Sequence, residues 1–388
     1  MSSATVRPAR RARLRAAVIA SALAAVALSG CSSPPAGATG SGPGSGAAGG
    51  SSASDPVDRA GSGSASLSFA APAHRAVVIV SGGDAVSPFT TPSEACTTGL
   101  AAGNTDTALR AALLAAGQEV YTAPAMNARS AVVEPDPSAF GAFGGCPPAL
   151  PASMTILSNG DIDNGGEHLA HFVDHLHERY GITEIDWVGH SNGGLWARSA
   201  TRILQDTGSP VAVRSLTTVG TPWEGSVPFR IVYGELPESA CRENEVCLKL
   251  VAAMQQEVAG NDLGLGRQQL ASYLLGDQGW NAAQLGVLDS IPVRLIAGGY
   301  LTDPAGDPEL WPFDGLVSAY SATASGLPEG TAPVRSCSRY PLTHSIYISN
   351  VLGLDWQTAL TWNDDVMADV TGFVRQVQQG TAPNGQGC

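Results

Sequence analysis

The chain has 388 residues, a formal net charge of −13 and a pI near 4.9. A surface with this excess of carboxylates repels phosphate backbones, so the composition argues against a protein that binds nucleic acid. The length is sufficient for one large domain with its own core.

The first thirty residues have the pattern of a secretory signal. Five arginines within residues 7–15 precede an apolar run, Ala16–Leu28, that is too short to cross a bilayer as a mature helix. The closing Leu28-Ser29-Gly30-Cys31 resembles a bacterial lipobox, which implies that Cys31 becomes a lipidated N-terminus once residues 1–30 are removed. A plain signal peptide and a short signal anchor are the alternatives.

Cleavage after residue 30 would leave a mature charge of −18, because the removed segment holds five arginines and no acid. Such a chain has no polybasic attraction for anionic headgroups. We therefore expect a bacterial lipoprotein that is held by its lipid on the extracytoplasmic side of the cell membrane, or else a secreted protein.

Residues 31–67 are rich in Ser, Gly, Ala and Pro and nearly lack large apolar side chains, so they are predicted to form a flexible tether. The remainder, residues 68–388, is predicted to form one domain. Its six cysteines predict three disulfides in an exported protein, although six cysteines allow fifteen pairings. The expected pairs are Cys96–Cys146, Cys241–Cys247 and Cys337–Cys388, and the middle pair is separated by only five residues.

Apolar runs alternate with amphipathic stretches along this domain. The β-branched run at 76–80 is typical of a strand that is buried on both faces of a parallel sheet. Further strands are expected at 119–123, 184–190, 211–219 and 292–299, and helices at 105–116, 165–180, 195–205, 246–258, 267–275 and 364–379. The stretch 124–151 is rich in Pro and Gly and is expected to be irregular.

The helix at 165–180 also carries four histidines. His168, His171 and His175 stand at i, i+3 and i+7, a spacing that raises the question of a metal site. They flank the apolar stripe of the helix, and no carboxylate pair or Cys/His pair elsewhere has a matching spacing. We therefore interpret them as a polar helix face and expect neither a metal nor any other cofactor.

The stretch 184–204 carries the most specific motif. A strand pattern runs into Gly189-His190-Ser191-Asn192-Gly193, and a helical pattern follows at once. This is the required context of the G-x-S-x-G nucleophile elbow, whose sharp turn holds the serine Oγ above the sheet. We predict Ser191 as the nucleophile and the backbone N–H of Asn192 as an oxyanion donor. An ordinary glycine-rich turn is the alternative.

Here the chain resembles the α/β-hydrolase superfamily, and its bacterial lipases and esterases in particular. The resemblance implies a mostly parallel central sheet flanked by helices, with a helical cap or lid inserted at 227–290. The segment Gly220-Thr221-Pro222-Trp223-Glu224-Gly225-Ser226 resembles the Gly-Thr-Pro-His-x-Gly-Ser segment of these lipases, with Trp223 in place of histidine. This implies that Trp223 lines the entrance to the active site. His190, inside the elbow, is the second candidate for substrate binding.

Two further segments supply the partners of the nucleophile. Phe313-Asp314-Gly315-Leu316-Val317 resembles the family's Asp-Gly-x-Val segment, which carries the acid of the catalytic triad. His344 follows thirty residues later and is the only histidine C-terminal to Ser191. The order Ser, Asp, His is the one expected for this fold.

The oxyanion-hole loop departs from the family pattern. The strand at 76–80 ends in Ser81-Gly82-Gly83-Asp84, where lipases carry a His-Gly dipeptide followed by the second oxyanion donor. Ser81 stands in place of that histidine. Gly83 is therefore our candidate for the second donor, and Asp84 is the alternative.

These residues together predict a serine hydrolase that cleaves carboxylic esters through an acyl-enzyme and acts as a monomer on an ester or lipid substrate. Apolar residues of the insertion shape an acyl pocket or form the insertion's own core; they are Leu263, Leu265, Leu274, Leu275 and Trp280. The alternative activities are an acyltransferase and an amide or peptide hydrolase. A non-catalytic binding protein with this fold is the alternative from another class, and the complete set of three residues argues against it.

Overall fold

The elements alternate between strand and helix, as the apolar pattern predicted. The computed structural model describes residues 73–95, 106–127, 150–261, 264–382 and 388. The strands are β1 (Arg75–Val80), β2 (Val120–Thr122), β3 (Ala125–Met126), β4 (Ile156–Leu157), β5 (Glu184–His190), β6 (Ala212–Val219), β7 (Val293–Gly298) and β8 (Arg335–Tyr340).

The helices of the described residues fall into two groups. Those of the main body are α1 (Thr107–Ala115), α2 (Ile162–Tyr180), α3 (Gly193–Thr207), α9 (Ala319–Ala322), α10 (Ile346–Leu352) and α11 (Asp364–Gln378). Those between β6 and β7 are α4 (Val227–Val232), α5 (Glu245–Asn261), α6 (Leu265–Gln268), α7 (Ala271–Leu274) and α8 (Trp280–Ala283). Short 3-10 turns lie at Ala152–Met154, Glu238–Cys241, Glu329–Thr331 and Trp356–Thr358.

The main sheet has the strand order β2-β1-β5-β6-β7-β8, and all five of its pairings are parallel. Strands β3 and β4 form a separate parallel pair. Because the strands run in one direction, their carboxyl ends meet at one edge of the sheet. Ligands of open parallel sheets bind at this edge.

Both faces of the sheet are covered, which explains the continuous apolar run in β1. Ala76, Val78 and Val80 point to one face and pack in the core that includes α2 and α3. Val77 and Ile79 point to the other face and pack with α1 and α11. The alternation of side chains along a strand sends successive residues to opposite faces, so both sets have to be apolar.

The insertion between β6 and β7, residues 227–290, is helical as predicted, and we call it the cap. Its first part has a small core in which Val227, Leu250 and the cystine of Cys241 and Cys247 surround Trp311 and Phe313. Its second part joins the main core through Leu265, Leu274 and Trp280, with Leu275 packed alongside. The predicted helix at 267–275 is wrong in one respect, because Leu270 is extended and divides it into α6 and α7.

Three other expectations meet the structure only in part. A second disulfide joins Cys337 to Cys388, whereas the predicted pair Cys96–Cys146 lies outside the described residues. The signal segment, Cys31 and the tether also lie outside them, and the segment expected to be irregular contains β3 in its described part. Within the described ranges, no helix has the length and apolar character needed to cross a membrane.

The close contact between α2 and α3 makes a specific prediction. A Cβ on Gly166 would lie 2.4 Å from Ser199 Oγ and 3.1 Å from Ala200 N, whereas a Cβ on Gly372 in α11 would meet nothing within 4 Å. We therefore expect Gly166→Ala to lower the free energy of unfolding by about 1–3 kcal/mol. Gly372→Ala should raise it by about 0.5–1 kcal/mol, because alanine favours an open helical position. Urea unfolding of the two variants measures both changes, and a Gly166→Ala variant as stable as wild type would contradict the packing.

Candidate active site

Ser191 occupies the sharp turn between β5 and α3. Its φ of 53° lies in the left-handed region, which a residue with a side chain adopts at a cost of about 1–3 kcal/mol. A Cβ on Gly189 would lie 2.5 Å from Gly194 N, and one on Gly193 would lie 2.2 Å from Val80 O. The turn therefore closes only because both positions lack a side chain.

Hydrogen bonds from the neighbouring strand hold this turn in place. Ser191 N donates to Val219 O at 2.8 Å, at the end of β6. Thr221 Oγ1 donates to Ser191 O at 2.7 Å. Thr221 belongs to the Gly-Thr-Pro segment, so this segment is hydrogen-bonded directly to the elbow.

Asp314 and His344 form a buried hydrogen-bonded pair. His344 Nδ1 lies 2.8 Å from Asp314 Oδ2, and the other carboxylate oxygen accepts the backbone N–H groups of Leu316 and Val317 at 2.9 and 2.7 Å. The backbone is tied as well, because His344 N donates to Asp314 O at 2.8 Å. The carboxylate is thus fixed in orientation and directs Nδ1 to carry the ring proton, so Nε2 is left with the lone pair.

Ser191 follows β5 and His344 follows β8 at the carboxyl edge of the sheet, and Asp314 is paired with His344. Gly220, the residue after Val219, lies against the pair: a Cβ there would be 3.1 Å from His344 Nδ1 and 3.3 Å from Asp314 Oδ2. Ser191 is 9% exposed, His344 is 2% exposed and Asp314 is fully buried. Among the described residues, the buried His344 Nε2 has no hydrogen-bond partner.

The loop after β1 runs beside the elbow, as the two oxyanion candidates require. A Cβ on Gly82 would lie 2.7 Å from Ser191 Cβ, and one on Gly83 would lie 2.8 Å from Asn192 Nδ2. The N–H of Asp84 donates to Ser158 O at 3.1 Å. The alternative donor is therefore already engaged in a backbone hydrogen bond, which favours Gly83.

His190 lies behind His344. Its Nε2 is 3.1 Å from His344 O, and the centroids of the two rings are 4.8 Å apart. Burial lowers the pKa of His190 to about 3; a charge on His344 would lower it further, whereas the hydrogen bond to the His344 carbonyl acts in the opposite sense. The ring is neutral at physiological pH and donates Nε2–H to that carbonyl. Contact with a substrate stays a prediction.

The expectation that Trp223 lines the entrance is wrong. The side chain is fully buried, its Nε1 donates to Thr218 Oγ1 at 3.3 Å, and the Arg198 guanidinium lies 5.0 Å from its ring centroid. A buried cation needs compensation, and aromatic faces supply it. Trp223 is therefore a packing partner of Arg198 in the core rather than a residue of the substrate's path.

One side chain that touches the elbow carries no motif in the sequence. Gln269 Nε2, in the cap, donates to Asn192 Oδ1 at 2.6 Å, and Gln269 is 1% exposed. Nearby, a Cβ on Gly83 would lie 3.1 Å from the cap residue Leu265. Sequence reasoning missed Gln269 because a glutamine between two short helices has no distinguishing pattern. The cap thus covers both candidate oxyanion donors.

The predicted polar face of histidines on α2 is held by backbone carbonyls. His168 Nδ1 lies 2.7 Å from Thr155 O, and His171 Nδ1 lies 3.1 Å from Ser153 O. In the part of the chain that the structure describes, no group of three His, Cys, Asp or Glu side chains is placed to hold a metal ion.

Comparison with known proteins agrees with the fold. Residues 153–235 match the model of a family described as an α/β hydrolase of unknown function, DUF915. Together with the parallel sheet, the elbow and the helices on both faces, this identifies the chain as a member of the α/β-hydrolase superfamily.

Sequence relatives match over a short part of the chain. Triacylglycerol lipases of Pseudarthrobacter phenanthrenivorans and Burkholderia plantarii are each 36% identical over 76 residues, which is 19% of this chain. The match spans about a fifth of the length of these curated relatives, 22% and 20% respectively.

Solved structures of similar proteins include a Bacillus licheniformis lipase and a Thermogutta terrifontis esterase. The first is 14% identical, with a TM-score of 0.43, and the match covers 79% of this chain and 93% of the lipase. The second is 13% identical, with a TM-score of 0.39 and coverage of 79% and 91%. At this level of similarity, neither structure bears on the activity of this chain.

Glu224, beside Trp223, gives a prediction for the pH dependence of stability. The side chain is 7% exposed, and burial raises its pKa to about 7. The Gly326 N–H, which donates to Glu224 Oε1 at 2.8 Å, lowers this pKa, whereas the negative charge of Glu309 raises it. The charges of Arg230 and Arg335 also lower it. Between about pH 4.5 and pH 7 the folded chain holds a proton that the unfolded chain has released. The free energy of unfolding should therefore fall as the pH rises through this window, by on the order of 1–3 kcal/mol.

Glu224→Gln keeps an acceptor for the Gly326 N–H but cannot ionise, so we expect it to lose less stability than wild type between pH 5 and pH 7. Urea unfolding at both pH values measures the difference. The exposed Glu245, changed to Gln, is the matched control and should leave the pH dependence as it is in wild type. Equal dependences in wild type and Glu224→Gln would show that Glu224 does not hold the extra proton.

Proposed function

We propose that this protein is a serine hydrolase that cleaves carboxylic esters, with Ser191 as nucleophile, His344 as general base and Asp314 as the residue that orients the imidazole. The single observation that carries the proposal is the buried Asp314–His344 pair, whose 2.8 Å contact leaves His344 Nε2 available at the carboxyl edge that also presents Ser191. A serine is a weak nucleophile at its free pKa, so a base in this position is what the chemistry needs.

The reaction would proceed in two halves. Ser191 Oγ loses its proton to His344 Nε2 and attacks the ester carbonyl carbon, and the resulting imidazolium is stabilised by the Asp314 carboxylate. His344 then protonates the departing alcohol, which leaves an acyl group on Ser191. A water molecule, deprotonated by the same imidazole, attacks the acyl-enzyme; the bond to Ser191 Oγ breaks, the imidazolium returns its proton to that oxygen, and the carboxylic acid is released.

Each tetrahedral intermediate carries an oxyanion that requires donors. The backbone N–H groups of Gly83 and Asn192 are the proposed pair, because the two residues lie side by side next to Ser191. Loss of one such donor typically costs about 3 kcal/mol of barrier, so the placement of this pair matters as much as the triad.

Two lines support an ester as the substrate. The two lipases that match over 76 residues hydrolyse triacylglycerols according to their names. The cap also brings apolar side chains to the site, because Leu265 lies against the Gly83 loop. An acyl chain is a substrate that suits such a wall.

Hydrolysis of p-nitrophenyl esters from acetate to palmitate tests the proposal. We expect turnover by wild type, and loss of at least about 10³-fold in kcat for Ser191→Ala. Asp314→Asn should lower kcat about 10⁴-fold without loss of folding, because an amide in this position no longer selects the tautomer with the proton on Nδ1. Ser290→Ala is the matched control, since Ser290 is exposed near the opposite end of β7.

A fluorophosphonate probe separates the possible outcomes. Labelling of wild type and not of Ser191→Ala, together with ester turnover, supports the hydrolase. Labelling without turnover of any ester would point to an acyltransferase or an amide hydrolase. A folded wild type that is neither labelled nor active would contradict the proposed enzymatic activity and favour a binding protein with this fold.

We also propose that the enzyme acts outside the cytoplasm and is anchored by a lipid on Cys31. The basic and apolar pattern of residues 1–30 and the Leu-Ser-Gly-Cys ending support this proposal. We expect the chain produced in bacteria to enter the detergent phase of a Triton X-114 extraction and to incorporate labelled palmitate. Cys31→Ala should move it to the aqueous phase without label. Equal partition of the two proteins would contradict the anchor.

A further inference from the structure

The side chain of Asn192 is used in an unexpected way. Asn192 is the N-cap residue of α3, where an asparagine ordinarily accepts a hydrogen bond from an N–H of the first helical turn. Here its side chain makes no capping hydrogen bond. Its Oδ1 instead accepts Gln269 Nε2 at 2.6 Å, in a contact where Asn192 is 5% exposed and Gln269 is 1% exposed.

Gln269 is itself anchored to the main body by its backbone. Its carbonyl accepts Ser226 N at 3.0 Å, and it approaches so closely that a Cβ on Gly225 would lie 2.6 Å from it. Gly225 has φ of 105°, a conformation that suits glycine. The position of the Gln269 side chain is therefore set by the loop after β6, which also holds the elbow through Thr221.

The amide of Asn192 has one orientation in this arrangement. Because Oδ1 faces the donor on Gln269, Nδ2 is turned toward the loop after β1, where a Cβ on Gly83 would meet it at 2.8 Å. The Asn192 side chain thus lies between the cap and the oxyanion-hole loop. The backbone N–H of the same residue is one of the two proposed oxyanion donors.

We propose that Gln269 is a positioning residue. Through the Asn192 amide it fixes the two oxyanion donors relative to Ser191. The oxyanion hole is therefore complete only when the second part of the cap is packed on the elbow. The inference rests on the proposed function and deepens it. Buried amide pairs are strong determinants of position because an unsatisfied buried amide costs about 1–3 kcal/mol. Small displacements of catalytic groups cost about 10²-fold in rate.

The neighbouring Gln268 provides a matched control. Its Nε2 donates to Asp161 Oδ1 at 2.7 Å and its Oε1 accepts Ile162 N at 2.6 Å, so it holds the same cap segment to the start of α2 rather than to Asn192. If Gln269 acted only by keeping the cap in place, Gln268→Ala and Gln269→Leu would have similar effects on activity.

The experiment measures kcat and KM for p-nitrophenyl butyrate with the full chain of wild type, Gln269→Leu, Gln268→Ala, Asn192→Ala and the double variant Asn192→Ala/Gln269→Leu. We expect Gln269→Leu and Asn192→Ala each to lower kcat by about 10- to 100-fold while KM changes less than about threefold. Gln268→Ala should retain kcat within about twofold. The double variant should lose no more than the worse single variant, because both substitutions break one contact.

Three outcomes would overturn the inference. They are a folded Gln269→Leu with wild-type kcat, a double variant whose kcat is lowered by the product of the two single losses, or a rise in KM with kcat unchanged. If Gln269→Leu does not fold, Asn192→Ala decides, since it removes the same contact from the other end and keeps its backbone N–H. Failure of the proposed function is distinct, because wild type itself would then show neither turnover nor fluorophosphonate labelling. In that case there is no catalytic oxyanion hole for Gln269 to position.

Discussion

The close approach of two backbones at the end of β5 is the constraint on which the rest of the structure depends. Gly193 lies where any Cβ would collide with the carbonyl at the end of β1, and Gly189 where it would collide with the start of α3. This contact forces Ser191 into its left-handed conformation and lifts its side chain above the sheet edge. The same approach brings the elbow close to the loop after β1, so the proposed nucleophile and the proposed oxyanion donors lie next to one another.

The cap is attached to this centre through a buried cation. Arg198, on α3, lies between the rings of Trp223 and Trp280, 5.0 and 5.4 Å from their centroids, and donates to Asn281 and to Gln284 O. Burial lowers its pKa to about 9, which leaves it charged at physiological pH. The charge is costly to bury, and the two aromatic faces and the amide offset that cost. Replacement of histidine by Trp223 in the Gly-Thr-Pro segment thus has a structural explanation.

Ser191 and His344 are almost completely covered in this arrangement, and the cap is the cover on the side of the oxyanion loop. Burial strengthens the hydrogen bonds of the Asp314–His344 pair because little solvent screens them. A substrate of the proposed reaction would therefore have to pass the second part of the cap to reach Ser191. The two parts of the cap pack on different regions. The first part, which contains the cystine, packs on Trp311 and Phe313. The second part, with Leu265 and Gln269, packs on the elbow and the main core.

Much of the architecture could be predicted from local patterns. The β-branched run of β1 and the apolar stripe of α2 specify their elements because burial on two faces, or on one stripe, leaves a period in the sequence. Strand β8 escaped prediction since Arg335–Tyr340 has polar residues and lies at the sheet edge, where one side of the ladder is open. Helix α10, directly after His344, escaped for a similar reason: it is short and its period is incomplete.

The sequence by itself determined the strand–turn–helix context of Ser191 and the chain order Ser, Asp, His, because these depend on a local backbone conformation and on connectivity. Only the tertiary structure decided which groups meet. It put Trp223 in the core with Arg198 rather than at an entrance, and His190 behind His344. It also brought Gln269 of the cap onto Asn192, 77 residues away in the chain. Contacts of this kind arise from packing between distant elements and leave no period or motif in the sequence that could announce them.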